Sequence, residues 1–201
     1  MAKKNTRNTR SRIVSAAWKL FYEQGYDDTT VEEIVEESGT SKGSFYHYFS
    51  GKDALLSSLS DLFDDKYQEL IPTLQEDMDS FDKLMYLNQE LFLMIDNSVS
   101  LDLVARMYSS QLVTAGEKHL MDHNRVYYKL LRQIVSEGQK KGELKAEATV
   151  NEIVKGYSMI ERGMLYDWCI CDGEYRLARY AEDMMPKFLH AFVDDKRTSK
   201  C

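Results

Sequence analysis

Proline is nearly absent from this chain. Two prolines and ten glycines in 201 residues leave few places where a helix must stop, because proline breaks the helical ladder and glycine is the usual residue just past a helix end. No stretch alternates apolar and polar residues for the length of a strand. No apolar run is long enough to span a membrane, and the lysine-rich start leads into polar residues rather than the apolar core of a signal segment. A cytoplasmic protein with no membrane partner is expected. Cysteine is scarce too. Cys169 and Cys171 have no second pair, and His119, His123 and His190 stand at no ligand spacing to them, so reduced structural thiols are expected rather than a metal site or a thiol sensor. There is no nucleophile elbow, phosphate loop, zinc helix or nicotinamide fingerprint. Catalysis, metal and cofactor are therefore not expected.

What is present is helix-forming: Leu, Met, Glu and Lys are frequent throughout, and the expected class is all-α. The net charge of −7 looks unsuited to a polyanionic partner until it is divided by region. Of the 26 basic and 33 acidic residues, residues 1–60 hold eight of each, so the whole acidic excess lies beyond residue 60. Within the first twelve residues Lys3, Lys4, Arg7, Arg10 and Arg12 have no acidic neighbour. Such a cluster suits a flexible arm along a phosphate backbone.

The stretch from Thr29 to Leu56 carries the functional reading. Thr30 and Glu33 have capping-box spacing, and Val31, Ile34 and Val35 follow at helical period with Glu32, Glu33, Glu36 and Glu37 on the other side. Ser38-Gly39 ends that short helix, and Thr40 or Ser41 can cap a second one starting near Lys42. On this second helix Phe45 and Phe49 point one way. Gly43, Ser44 and His47 point the other, with Tyr46 and Tyr48 on the flanks. Two helices joined by a short glycine-containing turn form the helix-turn-helix plan, whose second helix lies in the major groove. A purely structural hairpin would have no reason to expose Tyr46, His47 and Tyr48 together.

Gly25, Thr30, Ile34, Gly39, the run Ser41-Lys42-Gly43-Ser44-Phe45-Tyr46-His47-Tyr48-Phe49 and then Lys52-Asp53-Ala54-Leu55 together resemble the N-terminal domain of the TetR family of bacterial transcriptional regulators. The match is dense from about Ile13 to Leu56. One departure is Thr40, where the family more often has an aliphatic residue. The resemblance implies about nine helices: a DNA-binding domain over residues 1–51, built as an N-terminal arm and a three-helix bundle, and a helical effector-binding and dimerisation domain over 52–201. The expected DNA-binding residues are Thr30, Thr40, Ser41, Lys42, Gly43, Ser44, Tyr46, His47, Tyr48 and Lys52. Lys42 and His47 are expected on base edges, and Thr30, Tyr46, Tyr48 and Lys52 near phosphates.

Along the rest of the chain, helical periodicity predicts a first helix from Thr9 or Ser11 to Gln24 and a fourth from Lys52 to about Leu70, stopped by Pro72. The pattern resumes from Thr73 to Ile95, and further helices are predicted over Leu101–Val113, His119–Lys141, Thr149 to about Cys169, and Tyr175–Val193. Thr149 and Glu152 form a second capping box, and Pro186 predicts a kink or ragged turn. The basic tail after Asp194 is expected to fray.

In the family the last two helices of each subunit join those of a second subunit. Here Ile153, Tyr157, Ile160, Met164, Leu177, Tyr180, Met184 and Phe192 offer the apolar surface, although a monomer core would use the same residues. Candidate pocket residues for an unidentified small-molecule effector are Met94, Met107, Tyr108, Tyr127, Met159, Arg162, Tyr166 and Trp168, since methionine and aromatic rings suit adaptable apolar sites. Arg162, a charge amid apolar neighbours, needs a partner, either an acidic effector or a carboxylate such as Glu161 or Asp167. The reading reached from sequence is a homodimeric, ligand-responsive repressor that binds double-stranded operator DNA. Its rivals are a constitutive architectural DNA binder without inducer, and an all-α carrier or enzyme whose hairpin is only structural.

Overall fold

A helix leaves its first N–H groups without intrahelical partners, and among the described residues four helices close that gap with their own N-cap side chain. Thr30 and Thr149 form complete capping boxes with Glu33 and Glu152, while Ser41 accepts from the Ser44 N–H and Asp79 from the Asp82 N–H. A computed structural model describes the backbone of residues 2–113 and 118–194 and the side chains of residues 9–113 and 118–194. Among these residues are nine α-helices: α1 Ala2–Gln24, α2 Val31–Glu37, α3 Lys42–Tyr48, α4 Leu59–Leu70, α5 Ser80–Ser98, α6 Leu101–Val113, α7 Val126–Lys141, α8 Val150–Ile170 and α9 Leu177–Leu189. No strand is found among them; one isolated antiparallel bridge joins Leu144 and Val193.

Several ends differ from the sequence expectation. The backbone of α1 starts at Ala2, because nothing between Ala2 and Arg10 stops a helix. The expected arm is thus helical along its backbone, and the side chains of Lys3, Lys4 and Arg7 lie outside the described residues, as does the basic tail after Asp194. The predicted fourth helix divides into a tight 3-10 helix, Lys52–Ser58, and α4. Pro186 sits near the end of α9, which passes into a 3-10 turn over His190–Phe192.

Two helices begin later than predicted, for one shared reason. The N-cap residues of α7 and α9 are Arg125 and Arg176, and neither side chain caps its own helix. Asp64 of α4 does it for α7, accepting from the Tyr127 N–H at 3.3 Å and pairing with the Arg125 guanidinium at 2.9 Å. Asp96 of α5 does it for α9, accepting from the Leu177 and Ala178 N–H groups at 3.0 Å each and facing Arg176 at 3.5 Å. Each aspartate neutralises the arginine and takes up the orphan donors of a helix that is distant in sequence.

The chain divides into two compact units, Met1–Asp61 with Asp102–Leu120, and Leu62–Leu101 with Met121–Cys201. The first takes in the 3-10 helix and most of α6, although both lie beyond residue 51. Its core is Ile13, Ala17 and Phe21 of α1, Ile34 of α2, Phe45 of α3 and Leu55 and Leu59 after it. In the second, α5 packs on α7 and α9, and α8 packs on both of those. Leu84, Leu87, Leu91 and Ile95 of α5 recur at helical spacing, as do Leu131, Ile134 and Val135 of α7 and Leu177, Ala181, Met185 and Leu189 of α9; all are buried.

The Arg125 and Asp64 side chains are only 11% and 15% exposed, so losing one partner strands a charge as well as a cap. Asp64→Ala should cost about 3–5 kcal/mol, against about 1 kcal/mol for the exposed local cap in Thr149→Ala. Urea denaturation of both variants measures the gap, and equal losses would refute the remote-cap assignment.

Candidate nucleic-acid interface

The candidate reader is α3, and its orientation follows from two phenylalanines. Phe45 is fully buried and Phe49, its C-cap, nearly so, with ring centroids 5.8 Å apart. That anchor turns Ser41, Lys42, Gly43, Tyr46 and His47 to the exterior, where all five are exposed, while Ser44 and Tyr48 are half-buried. A small residue, a hydroxyl, an ammonium, a phenol and an imidazole thus share an exposed surface, the set that base edges and phosphates require. Lys42 pairs with Glu32 of α2, two exposed groups that solvent screens and a phosphate can separate.

The turn before α3 is held from α1. Gly39 takes the left-handed conformation at φ +58°, and Arg12 donates to the Ser38 and Gly39 carbonyls, the latter at 2.9 Å. These are carbonyls that the end of α2 leaves unmatched. Arg12, expected in the phosphate arm, is therefore committed to the turn. Thr40 hydrogen-bonds Ser38 Oγ at 2.8 Å, so a polar residue at the family's aliphatic position gains a partner within the turn.

The turn before α2 is held from the other side. Lys52 donates to the carbonyls of Tyr26 at 2.6 Å, Asp27 at 3.2 Å and Thr29 at 2.8 Å, and its ammonium lies 4.4 Å from the Tyr26 ring centroid. An ammonium has three donors, and all three are matched. Lys52, expected near phosphate, is placed where it pins the entry to α2. Tyr26 itself hydrogen-bonds Asp53, and Arg106 of α6 lies over its ring at 4.8 Å while pairing with Asp27 at 2.6 Å and Asp102 at 2.8 Å. Burial first, and then the Asp53 carboxylate, push the Tyr26 phenol up from its ordinary value. No local pattern links Tyr26 to Arg106, so sequence reasoning missed this clamp. Thr30 is likewise committed, since its hydroxyl donates to Glu33 at 2.8 Å and accepts from the Glu33 N–H at 3.2 Å.

Residues 13–59 match the family profile described as bacterial regulatory proteins, tetR family, and residues 63–191 match that of the C-terminal region of YsiA-like proteins. The chain belongs to the TetR family of transcriptional regulators. A helix-turn-helix regulator from Lactococcus lactis subsp. lactis is 44% identical over 48 residues, 24% of each chain. That match spans about a quarter of the relative's length. The fatty acid metabolism regulator protein of Bacillus subtilis is 26% identical over 146 residues, 71% of this chain and 74% of that one. The crystal structure of FadR from Bacillus subtilis in complex with stearoyl-CoA superposes with a TM-score of 0.67 at 20% identity, covering 89% of this chain and 97% of that one.

Outside the TetR reader, the structure redistributes the residues expected at a pocket and a dimer interface. Helix α8 carries two apolar stripes. Ile153, Tyr157, Met164 and Leu165 face the unit's own core and are buried, whereas Met159, Tyr166 and Ile170 are 54%, 54% and 65% exposed. Ile153, Tyr157, Met164 and Leu177, expected at a dimer interface, are covered by their own chain, and Met159 and Tyr166, expected in a pocket, are exposed. Ile160, Met184 and Phe192 are half-buried, and Tyr180 is 38% exposed. Among the other pocket candidates, Met107 and Tyr108 belong to the first unit, while Met94, Tyr127, Arg162 and Trp168 belong to the second. The Trp168 indole N–H donates to the Tyr175 carbonyl at 3.0 Å and closes the α8–α9 connection. Burial raises the Cys169 thiol to about 11, and burial with nearby carboxylates raises Cys171, so neither is a ready thiolate at neutral pH. No group of three or more His, Cys, Asp or Glu that could hold a metal occurs among the described residues, and no helix among them is long and apolar enough to cross a membrane.

A buried carboxyl lies on the inward stripe of α8. Glu161 accepts from the Tyr127 hydroxyl at 2.5 Å and from Asn88 Nδ2 at 2.9 Å. Burial raises its pKa against these hydrogen bonds. A raised folded pKa means that the folded state binds the proton more tightly. The ionisation penalty is thus absent below the unfolded value near 4.5, grows as pH rises through the window up to the folded value, and is fully present above it. Glu161→Gln removes that titration, and Asn88 Oδ1, buried with no partner among the described residues, can accept from the new amide if Asn88 turns over. The variant should be more stable than the parent at pH 8, with the gain shrinking towards pH 4.5. A stability difference independent of pH would show that Glu161 does not titrate in this way.

Proposed function

We propose that this TetR-family protein is a homodimeric repressor that reads operator DNA with α3 and leaves it when a small-molecule effector binds. The observation that carries the reading is the simultaneous exposure of Lys42, Gly43, Tyr46 and His47 on a helix anchored by buried Phe45. Two such helices, about 34–36 Å apart in a dimer, would meet successive major grooves. The exposed apolar residues Met159, Tyr166 and Ile170 on α8 and Tyr180 and Phe188 on α9 support an α8–α9 interface with a second copy. The effector role is carried over from the family, among whose relatives is the 26% identical fatty acid metabolism regulator. An effector with unequal affinity for two spacings of the readers shifts the dimer towards one of them.

The experiment is a titration of duplex DNA from upstream of the protein's own gene, read by fluorescence anisotropy. Lys42→Ala and His47→Ala should each weaken specific binding by about 1–3 kcal/mol with an unchanged melting temperature. Lys52→Ala should lower the melting temperature, because three backbone carbonyls lose a charged donor worth about 1.5–3 kcal/mol. Parental affinity in both α3 variants would remove α3 as the reader.

Sedimentation velocity tests the second element of the proposal. Tyr166→Glu combined with Phe188→Glu should convert the dimer to monomer at micromolar concentration and weaken operator binding, while far-UV circular dichroism keeps the parental helix signal. A double variant that stays dimeric would place the interface elsewhere.

A further inference from the structure

Between α7 and α8 lies a groove of about 740 Å³, within the range of small-molecule sites. Its lining includes Met121, His123, Tyr128, Arg132, Val154 and Lys155, with Asn124, Asn151 and Ser158 completing it. None of these nine residues is acidic, although acids outnumber bases by seven in the chain. Two acids adjoin lining residues in sequence: Asp122 accepts from the Asn124 N–H at 2.8 Å, and Glu152 accepts from the Thr149 N–H and hydroxyl at 2.7 Å each.

The charged groups at this groove lack carboxylate partners. Arg132 donates to the His123 carbonyl at 2.8 Å and makes no ion pair among the described residues. The Lys155 ammonium makes neither hydrogen bond nor ion pair among them. Behind the wall, Arg162 donates to the Tyr128 hydroxyl at 3.2 Å. Arg162 thus has a phenol of the groove wall as hydrogen-bond partner, and its charge also acts on the adjacent Glu161 carboxyl. Accepting from a guanidinium makes the phenol a stronger hydrogen-bond donor. The imidazole of His123 lies against the Tyr128 ring, with centroids 4.6 Å apart. Cations with unmatched donors thus border a floor made of an aromatic ring, a valine and a methionine. Such a surface is complementary to a molecule with an anionic head and an apolar tail.

We propose that the α7–α8 groove binds an amphipathic anion, a phosphate- or carboxylate-headed molecule with an apolar tail, with Lys155 and Arg132 receiving the head and Tyr128, Val154 and Met121 the tail. This rests on the ligand-responsive reading above and adds to it a location and a ligand chemistry. The head discriminates against neutral compounds of equal length, because the donors of Lys155 and Arg132 gain charged acceptors only from an anion.

The test is calorimetric titration of the full chain with decanoyl-CoA, decanoate and n-decanol, each below its aggregation limit. At least one of the two anions should bind at least tenfold more tightly than the alcohol, and the tighter of them identifies the head. Lys155→Met and Arg132→Met should each weaken that anion, and the double variant should lose tenfold or more. Lys140→Met, an exposed lysine outside the groove, should keep the parental affinity. Equal binding of alcohol and anions, no binding of any probe, or parental affinity in both single variants would overturn the proposal. DNA binding measured without probe separates the two readings: variants that keep it while losing the anion support the groove, and a parent that binds no DNA sinks the regulator reading whatever the calorimetry gives.

Discussion

Every helix here must find acceptors for its first N–H groups, and the source of those acceptors sets how the structure is tied together. Where the acceptor is local, as with Thr30, Ser41, Asp79 and Thr149, the helix start is a property of a few consecutive residues. Where it comes from elsewhere, as with Asp64 for α7 and Asp96 for α9, the cap is also a tertiary contact that fixes one helix against another. The arginine at each of these N-caps makes the arrangement obligatory. A cation at the positive end of a helix dipole is unfavourable until a carboxylate joins it.

The same economy governs the reader. Its two turns are short, carry glycine or polar residues, and have too few side chains of their own to satisfy their carbonyls. Arg12 supplies the donors on one side and Lys52 on the other. Two residues whose charge suggested DNA contact thus hold the backbone that presents α3, and Lys42, Tyr46 and His47 are left exposed on that helix. The cation–π stack of Lys52 and Arg106 on Tyr26 extends that support to α6. A residue far along the chain thereby bears on the entry to the helix-turn-helix.

The second unit shows how one helix serves two surfaces. With apolar residues on an inward stripe and on an outward one, α8 has no single hydrophobic face, and Glu161 adds a buried carboxyl to the inward one. Hydrogen bonds from Tyr127 and Asn88 make that burial tolerable without making it free. Where α8 meets α7, Lys155 of α8 and Arg132 of α7 make no ion pair among the described residues.

The sequence by itself determined the all-α class, both capping boxes, the anchoring of α3 by Phe45 and Phe49 and the outward position of Lys42 and His47. Each of these depends on residues a few positions apart, whose geometry the α-helix dictates. It also determined the bounds of α6, which the periodicity placed at Leu101–Val113 and the structure repeats. Tertiary structure alone decided where α7 and α9 begin, because Asp64 and Asp96 act across the chain. It alone decided that Lys52 and Arg12 serve the fold, because the carbonyls they bind are 23 to 27 residues away. And it alone decided which stripe of α8 faces inward: Met159 and Met164 are equally apolar, and only the packing of α5, α7 and α9 around that helix distinguishes a residue that is covered from one that is not.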